Sequence, residues 1–339
     1  MLNIRAEKII KLHDGIVSIR SYPKNIIKED IWLFEHELKR TIPDTYLKIY
    51  SNTIVTSNGL VLKQSNLIED NLVLKQSLHL KDKVKILLKN LFLIKRLPEK
   101  PYLITFNSEY SGYFHWITET LTRIMVTDNL HDFVLLMPDN LKIWQKETLS
   151  VFKPLSIEYL NTKHHYKIKS LNLVTHTAPS GNYNDSVIRQ LRQKFIESFN
   201  LPINKNKRIY ISRQKARFRK LLNEQEFVHA ISDFGFETYY FEELSFQEQI
   251  RLSAQCEIMI GLHGAGLTNM LFMSEGTKVI ELRIPDDKYN NCYYSLANAL
   301  NLDYYYVLGK KNTLINDFHS TDILIEINKI SLLLSNILK

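Results

Sequence analysis

Between residues 208 and 307 the chain repeats one pattern: a short apolar run, then a stretch with helical periodicity, then another apolar run. The runs fall at 208–211, 237–241, 257–260, 278–282 and 304–307. Each pair is separated by enough chain for a helix, so the sheet they share is parallel with helices packed on its faces. Helices are expected to start at Asn223, Ser245 and Gly266 and to cover 291–300. Two of them carry capping boxes, Asn223 with Glu226 and Ser245 with Glu248, in which the later carboxylate can return to the backbone N–H of the cap. This half of the chain reads as a Rossmann-like domain.

The other half is less regular. Its first part alternates in short runs, and Asn58-Gly59 between the runs of 54–62 is a strong hairpin signal. A helix is expected around 30–39, another over 80–97, a strand at 102–106, a helix at 114–126 and a strand at 133–137. The polar, proline-containing stretch LPINKNK at 201–207 separates the two periodic regions and reads as a linker. The expected fold class is α/β. Its domains are one over 1–200 with a β-rich start, a Rossmann-like one over 201–320, and a C-terminal helix over 321–339 packing back on the first domain.

With 339 residues, 45% of them hydrophobic and 24% charged, the chain has the composition of a folded globular protein. Its formal net charge of +8 suits an anionic partner without choosing among nucleic acid, a membrane surface and a phosphorylated small molecule. No nucleic-acid-binding motif accompanies that charge, so no nucleic-acid partner is expected. Cys256 and Cys292 have neither metal-like nor redox-like spacing. The start of the chain has no signal-peptide pattern and no run approaches the ~18 apolar residues of a membrane span. A cytoplasmic protein is expected, with peripheral membrane association left open and oligomeric state undetermined.

Chemistry concentrates in four segments. Gly261, His263, Gly264, Ala265 and Gly266 follow the third strand of the C-terminal pattern directly. Strand, small-residue turn and helix form an anion-binding arrangement, because bare backbone can approach a phosphate and a helix start offers unpaired N–H groups. His263 and Asn269 bracket that turn. Glu281 is the single carboxylate in the next strand, placed to accept ribose hydroxyls. The first strand ends in Ser212-Arg213, with Arg217, Arg219, Asn223 and Glu224 close behind, and guanidinium groups match the oxygens of a diphosphate. In the other half, His115 and Glu119 lie four apart on one helix face, where a carboxylate can tune a general base. The spacing fits no zinc motif.

These segments resemble family 61 glycosyltransferases, which include bacterial polysaccharide-biosynthesis enzymes and eukaryotic xylosyl- and N-acetylglucosaminyltransferases. The resemblance rests on YFHWITETLTRI, ISRQKARFRKLLNE and GLHGAGLTNMLFMSEGTKVIEL, and covers roughly residues 100–285. It implies a GT-B architecture, two Rossmann-like domains facing a cleft, here with an N-terminal β-rich extension. It also implies an inverting reaction that needs no metal or other cofactor. The implied partners are a nucleotide-sugar donor and a glycan or lipid-linked glycan acceptor. By position, Arg213, Arg219, Asn223, Glu224, His263, Gly264, Ala265, Gly266, Thr268, Asn269 and Glu281 fall on the donor side. His115, Glu119, Trp116 and Arg123 fall on the acceptor side. Glu119 is the expected general base, with His115 orienting it or sharing the role. Two other readings fit the same residues: a polysaccharide-modifying transferase such as a pyruvyltransferase, and a non-catalytic nucleotide-binding protein.

Overall fold

The computed structural model describes residues 4–73, 92–202, 204–312 and 321–339. The chain is mixed α/β and divides into two compact units. One comprises Met1–Ile16 with Thr41–Leu191, the other Val17–Arg40 with Arg192–Lys339. The division falls just before the expected linker, and the segment 17–40, assigned by sequence to the first domain, belongs to the second. Among the described residues no helix is long and apolar enough to cross a membrane.

In the first unit nine described strands share one sheet. Its ordered path runs Ser156–Leu160, Val134–Pro138, Tyr102–Ile104, His165–Val174, Thr45–Thr56, Val61–Lys63, Asn66–Leu67. Pairing is parallel from the first of these to His165–Val174 and antiparallel beyond it. The Asn-Gly hairpin forms as the sequence indicates, with Val55 opposite Val61. Gly59 turns it at φ +82, and a Cβ there would come within 2.8 Å of the Asn107 backbone. Glycine is thus required both by the left-handed backbone and by the neighbour. Of the helix expected over 80–97, residues 80–91 lie outside the described residues, whereas Ile94–Arg96 is a strand paired with His165–Val174. The helix expected over 114–126 forms in three pieces: α over Tyr113–His115, π over Trp116–Thr120 and α again over Leu121–Met125.

The second unit holds the predicted parallel sheet. Its strands are ordered Glu237–Tyr239, Lys207–Ile211, Cys256–Leu262, Lys278–Arg283, Asp303–Leu308. Numbered along the chain, that is the order 2-1-3-4-5, which reverses direction between the first and third strands. The helix expected from Gly266 forms over Ala265–Phe272 with 3-10 geometry, and Leu267 to Phe272 are all buried. Two expectations are corrected here. In place of the helix expected around 30–39 stand two short 3-10 turns, Lys28–Leu33 and Glu35–Glu37, and Lys39 begins the strand Lys39–Ile42. Finally, the C-terminal helix Ile327–Ile337 sinks Ile330 and Leu334 into this unit's own core with Phe227 and Ile231. Its apolar stripe needs a partner, and the exposed side of this sheet is the surface it finds.

Residues 17–40 act as a strap along the last strand. Lys24 donates its backbone N–H to the Tyr304 carbonyl at 2.9 Å, and Asn25 bonds both backbone groups of Tyr306. These contacts occupy backbone groups that an edge strand would leave open. Phe34 packs on Tyr294 and Tyr306, and the buried pair Arg20–Glu37 at 2.7 Å closes the strap on itself.

Candidate active site

Two polar clusters are built from the sequence-predicted residues, one in each unit. In the parallel sheet, the strand-order reversal puts the C-terminal ends of Lys207–Ile211 and Cys256–Leu262 side by side, the position where ligands of open α/β sheets bind. Arg213 leaves the first strand and Gly264 follows the second. They are so close that a Cβ on Gly264 would lie 2.2 Å from the nearer Arg213 Nη1. Arg213 is fixed from behind, with Nε donating to the Arg219 carbonyl at 3.1 Å and Nη2 to that of Phe218 at 3.0 Å. Arg219 itself takes φ +59, an uncommon conformation for a non-glycine residue. Burial, and then the charge of Arg219, push the Arg213 guanidinium below its ordinary pKa. A half-buried cation beside another cation is a site that an anion stabilises.

His263 stands next to this pair. Its Nδ1 lies 2.5 Å from Glu281 Oε1, and its ring meets the edge of Tyr293 at 5.0 Å. Glu281 is fully buried. Its other oxygen accepts from Tyr304 at 2.5 Å and from Arg283 Nη1 at 3.4 Å. Burial opposes ionisation of Glu281, but Arg283, His263 and Tyr304 outweigh it and hold the carboxyl below its ordinary pKa. Glu281, expected to accept ribose hydroxyls, is fully buried with both oxygens already accepting from protein donors, and His263, just beyond the neighbouring strand Cys256–Leu262, is the partly exposed member of the pair. Asn223 and Glu224 are likewise used internally. Asn223 bonds both the N–H and the carbonyl of Ile325, anchoring the C-terminal segment, and Glu224 Oε1 accepts from Tyr210 and Ser212. Asn269, expected at the ligand, is 1% exposed and ties the turn together through the Gly266 carbonyl. Thr268 is buried against Tyr293. Arg213, Arg219, His263, Ala265 and Gly266 remain partly exposed, while Gly264 is buried.

In the first unit His115 and Glu119 do meet, Nδ1 to Oε1 at 2.8 Å. The π-turn over Trp116–Thr120 lies between them, a local widening that recurs at functional sites. Glu119 also accepts from Ser180 Oγ at 2.7 Å and from Asn107 Nδ2 at 2.9 Å, so both its oxygens are filled. Its side chain is 5% exposed and that of His115 is 30% exposed. Burial raises the pKa of Glu119, but the bond and charge of His115 more than reverse this and lower it. Conversely, burial disfavours protonated His115, yet Glu119 prevails and its pKa is raised. A carboxylate saturated by donors orients an imidazole more readily than it abstracts a proton.

Trp116 and Arg123, expected to face an acceptor, are both fully buried. Trp116 donates to Thr148 Oγ1 at 2.8 Å and belongs to the core. Arg123 bonds Asn71 Oδ1 at 2.7 Å and the Val174 carbonyl at 3.2 Å. Burial lowers its pKa to about 9, partly countered by Glu119. Sequence reasoning missed Asn107, Ser180 and His176. Ser180 lies 61 positions from Glu119 and has no local signature. His176 is kept neutral first by burial and then by the charge of Arg123, at a pKa of about 4. Arg283 was missed as well, although its place two residues beyond Glu281 on the same face of one strand was a signal that could have found it.

Residues 113–280 match the family model Glycosyltransferase 61. The EGF domain-specific O-linked N-acetylglucosamine transferase of Rattus norvegicus is 33% identical over 141 residues, covering 39% of this chain and 26% of that protein. Its counterpart in Mus musculus is 33% identical over 134 residues, 37% of this chain and 25% of the relative. That of Drosophila melanogaster is 33% identical over 106 residues, 30% and 20%. The match thus spans about a quarter or less of the length of these curated relatives. His115, Glu119, Arg213 and the turn from His263 to Gly266 all lie inside the matched segment.

Proposed function

We propose that this glycosyltransferase, which carries its family 61 domain over residues 113–280, transfers a sugar from a UDP-sugar to a glycan hydroxyl with inversion, as a metal-independent GT-B enzyme. The observation that carries the donor assignment is the contact of Arg213 with Gly264 at the strand-order reversal. A guanidinium and bare backbone adjoin there, beside His263, where an open α/β sheet receives its ligand. In this reading Arg213, Arg219 and the backbone at Gly264, Ala265 and Gly266 receive the diphosphate, where negative charge grows as the sugar departs. The arginines supply the charge that a metal supplies elsewhere.

The general base in this reading is His115. With the Glu119 carboxylate accepting Nδ1–H, the tautomer is set and Nε2 carries the lone pair that takes the acceptor's proton. Glu119, Ser180 and Asn107 orient it. The acceptor is a glycan or lipid-linked glycan of surface-polysaccharide assembly, such as capsule or lipopolysaccharide. The enzyme would be cytoplasmic, its net charge of +8 favouring peripheral contact with an anionic membrane.

Likeness to N-acetylglucosamine transferases makes UDP-N-acetylglucosamine the first donor to assay, and an EGF domain the second acceptor class. A thermal-shift screen across UDP-, GDP- and CMP-sugars tests the donor assignment. Selective stabilisation by one nucleotide class is expected, about 2.7 kcal/mol at a hundredfold excess over Kd. No stabilisation by any UDP-sugar would overturn it.

A further inference from the structure

We propose that His263 is the group that protonates the departing phosphate, charged by proton uptake when the donor binds and held in place by the buried Glu281. This rests on the donor-site reading above and adds to it a proton-transfer role for a side chain so far placed only beside the phosphate site.

Glu281 is ionised and fully buried, so the 2.5 Å contact is a donation from His263 Nδ1–H to Oε1. The ring cannot turn without breaking that bond and leaving a buried carboxylate oxygen unsatisfied, which fixes Nε2 as the outward nitrogen. Glu281 in turn is held on its second oxygen by Tyr304 and Arg283. Arg283 is anchored by the Asp287 carbonyl at 2.8 Å and by Asn291 Oδ1 at 2.9 Å, and it lies over the Phe34 ring of the strap. The support reaches across two strands, the following loop and the strap. That is far more structure than a solvated histidine needs.

The surrounding charges decide the proton. Glu281 faces the imidazole from its own strand, with Arg283 beside it sharing the carboxylate charge. Tyr304 comes from the last strand. From the helix Cys292–Ala299 come Tyr293, edge-on to the ring, and Cys292, both held in their neutral forms by burial. Arg213 stands against the adjacent Gly264, with Arg219 behind it. In this set two carboxylates, Glu281 and the Glu242 whose charge reaches Arg213, are matched against three guanidinium groups, a surplus of positive charge before any proton is added. A diphosphate arriving at Arg213 reverses that surplus and favours the imidazolium. The proton on Nε2 then points to the phosphate end.

The step balances. The acceptor oxygen bonds to the anomeric carbon, and its proton passes to the base. The bond from the anomeric carbon to the phosphate oxygen breaks with its electron pair on that oxygen, which takes the Nε2 proton. His263 leaves the step neutral and the nucleoside diphosphate leaves singly protonated.

Calorimetric titration of the full chain with UDP, in two buffers of different ionisation enthalpy near about pH 8 where UDP is already ionised, counts the protons bound. The wild type is expected to take up protons on binding UDP, the direction that an anion arriving beside an imidazole favours. His263→Asn is expected to bind UDP without uptake and to lower kcat about 10²- to 10⁴-fold with the donor KM moved by less than about threefold. Glu281→Gln is expected to lose the uptake too. Should that buried variant not fold, His263→Asn decides alone. Wild-type binding of UDP without proton uptake, uptake by His263→Asn equal to that of the wild type, or a loss of turnover that appears only in KM overturns the inference while leaving the donor site standing. If the wild type does not bind UDP at all, the donor-site reading falls and takes the inference with it.

Discussion

The two units contain the same pair, a histidine held by a buried glutamate, in different electrostatic surroundings. Glu119 is satisfied by neutral donors, Ser180 and Asn107, so its charge acts chiefly on His115. Glu281 has a guanidinium 3.4 Å away and a phenol at 2.5 Å, so its charge is divided before His263 receives a share. The first arrangement strengthens an imidazole as a base. In the proposed reading the second instead serves an imidazole that protonates the departing phosphate, so identical residue types take different duties according to what the carboxylate is paired with on its far side.

This comparison can be broken at several points, beginning with the largest effect. His115→Ala is expected to lower kcat about 10²- to 10⁴-fold, the range for loss of a general base, and Glu119→Gln to fall in the same range because the amide no longer enforces the tautomer. If Glu119→Gln retains turnover, the orienting role is wrong. Arg213→Ala is expected to weaken UDP binding by about 10- to 100-fold, from the 1.5–3 kcal/mol of hydrogen bonds to a charged group, measured by calorimetry. Gly264→Ala tests the same contact from the other side. Its new methyl must displace the end of the Arg213 side chain, so about a tenfold loss of UDP affinity with an unchanged melting profile is expected.

The pH dependence carries a sign. His115 works unprotonated and its pKa is raised from 6.5, so kcat should fall as pH drops through a value above 6.5. Glu119→Gln removes the cause of the elevation and should move that limb toward lower pH. An acidic limb below 6.5 in the wild type would contradict the pairing. Ser180→Ala should cost less, within about tenfold of kcat, because Asn107 and His115 still hold Glu119. The smallest effect belongs to Trp116→Phe, a loss of about 1 kcal/mol of stability from the Thr148 hydrogen bond, read by denaturant unfolding, with kcat unchanged.

Much of the C-terminal unit was legible because parallel strands and their helices are local, periodic signals. The same signal placed a helix after Gly266 but not its 3-10 geometry, since periodicity over eight residues does not separate the two helix types. The capping pattern at Asn223 was present in sequence, yet the side chain is spent on Ile325, 102 positions away. In the first unit the alternation of 54–62 gave the hairpin, but the mixed sheet joins strands from distant parts of the chain, and no local pattern announces such pairing.

The sequence by itself determined the parallel sheet, the turn from His263 to Gly266 at a strand's end, the closeness of His115 to Glu119 along one helix, and the likeness to glycosyltransferases. Periodicity and short spacing are enough for each. Tertiary structure alone decided which carboxylate oxygens are left over and which nitrogen of each histidine faces outward. It also set Arg213 against Gly264, turned Glu281 and Asn269 inward, and gave residues 17–40 to the second unit. Those outcomes depend on partners dozens to hundreds of positions apart, and a buried hydrogen bond is fixed by whichever distant donor the fold delivers to it.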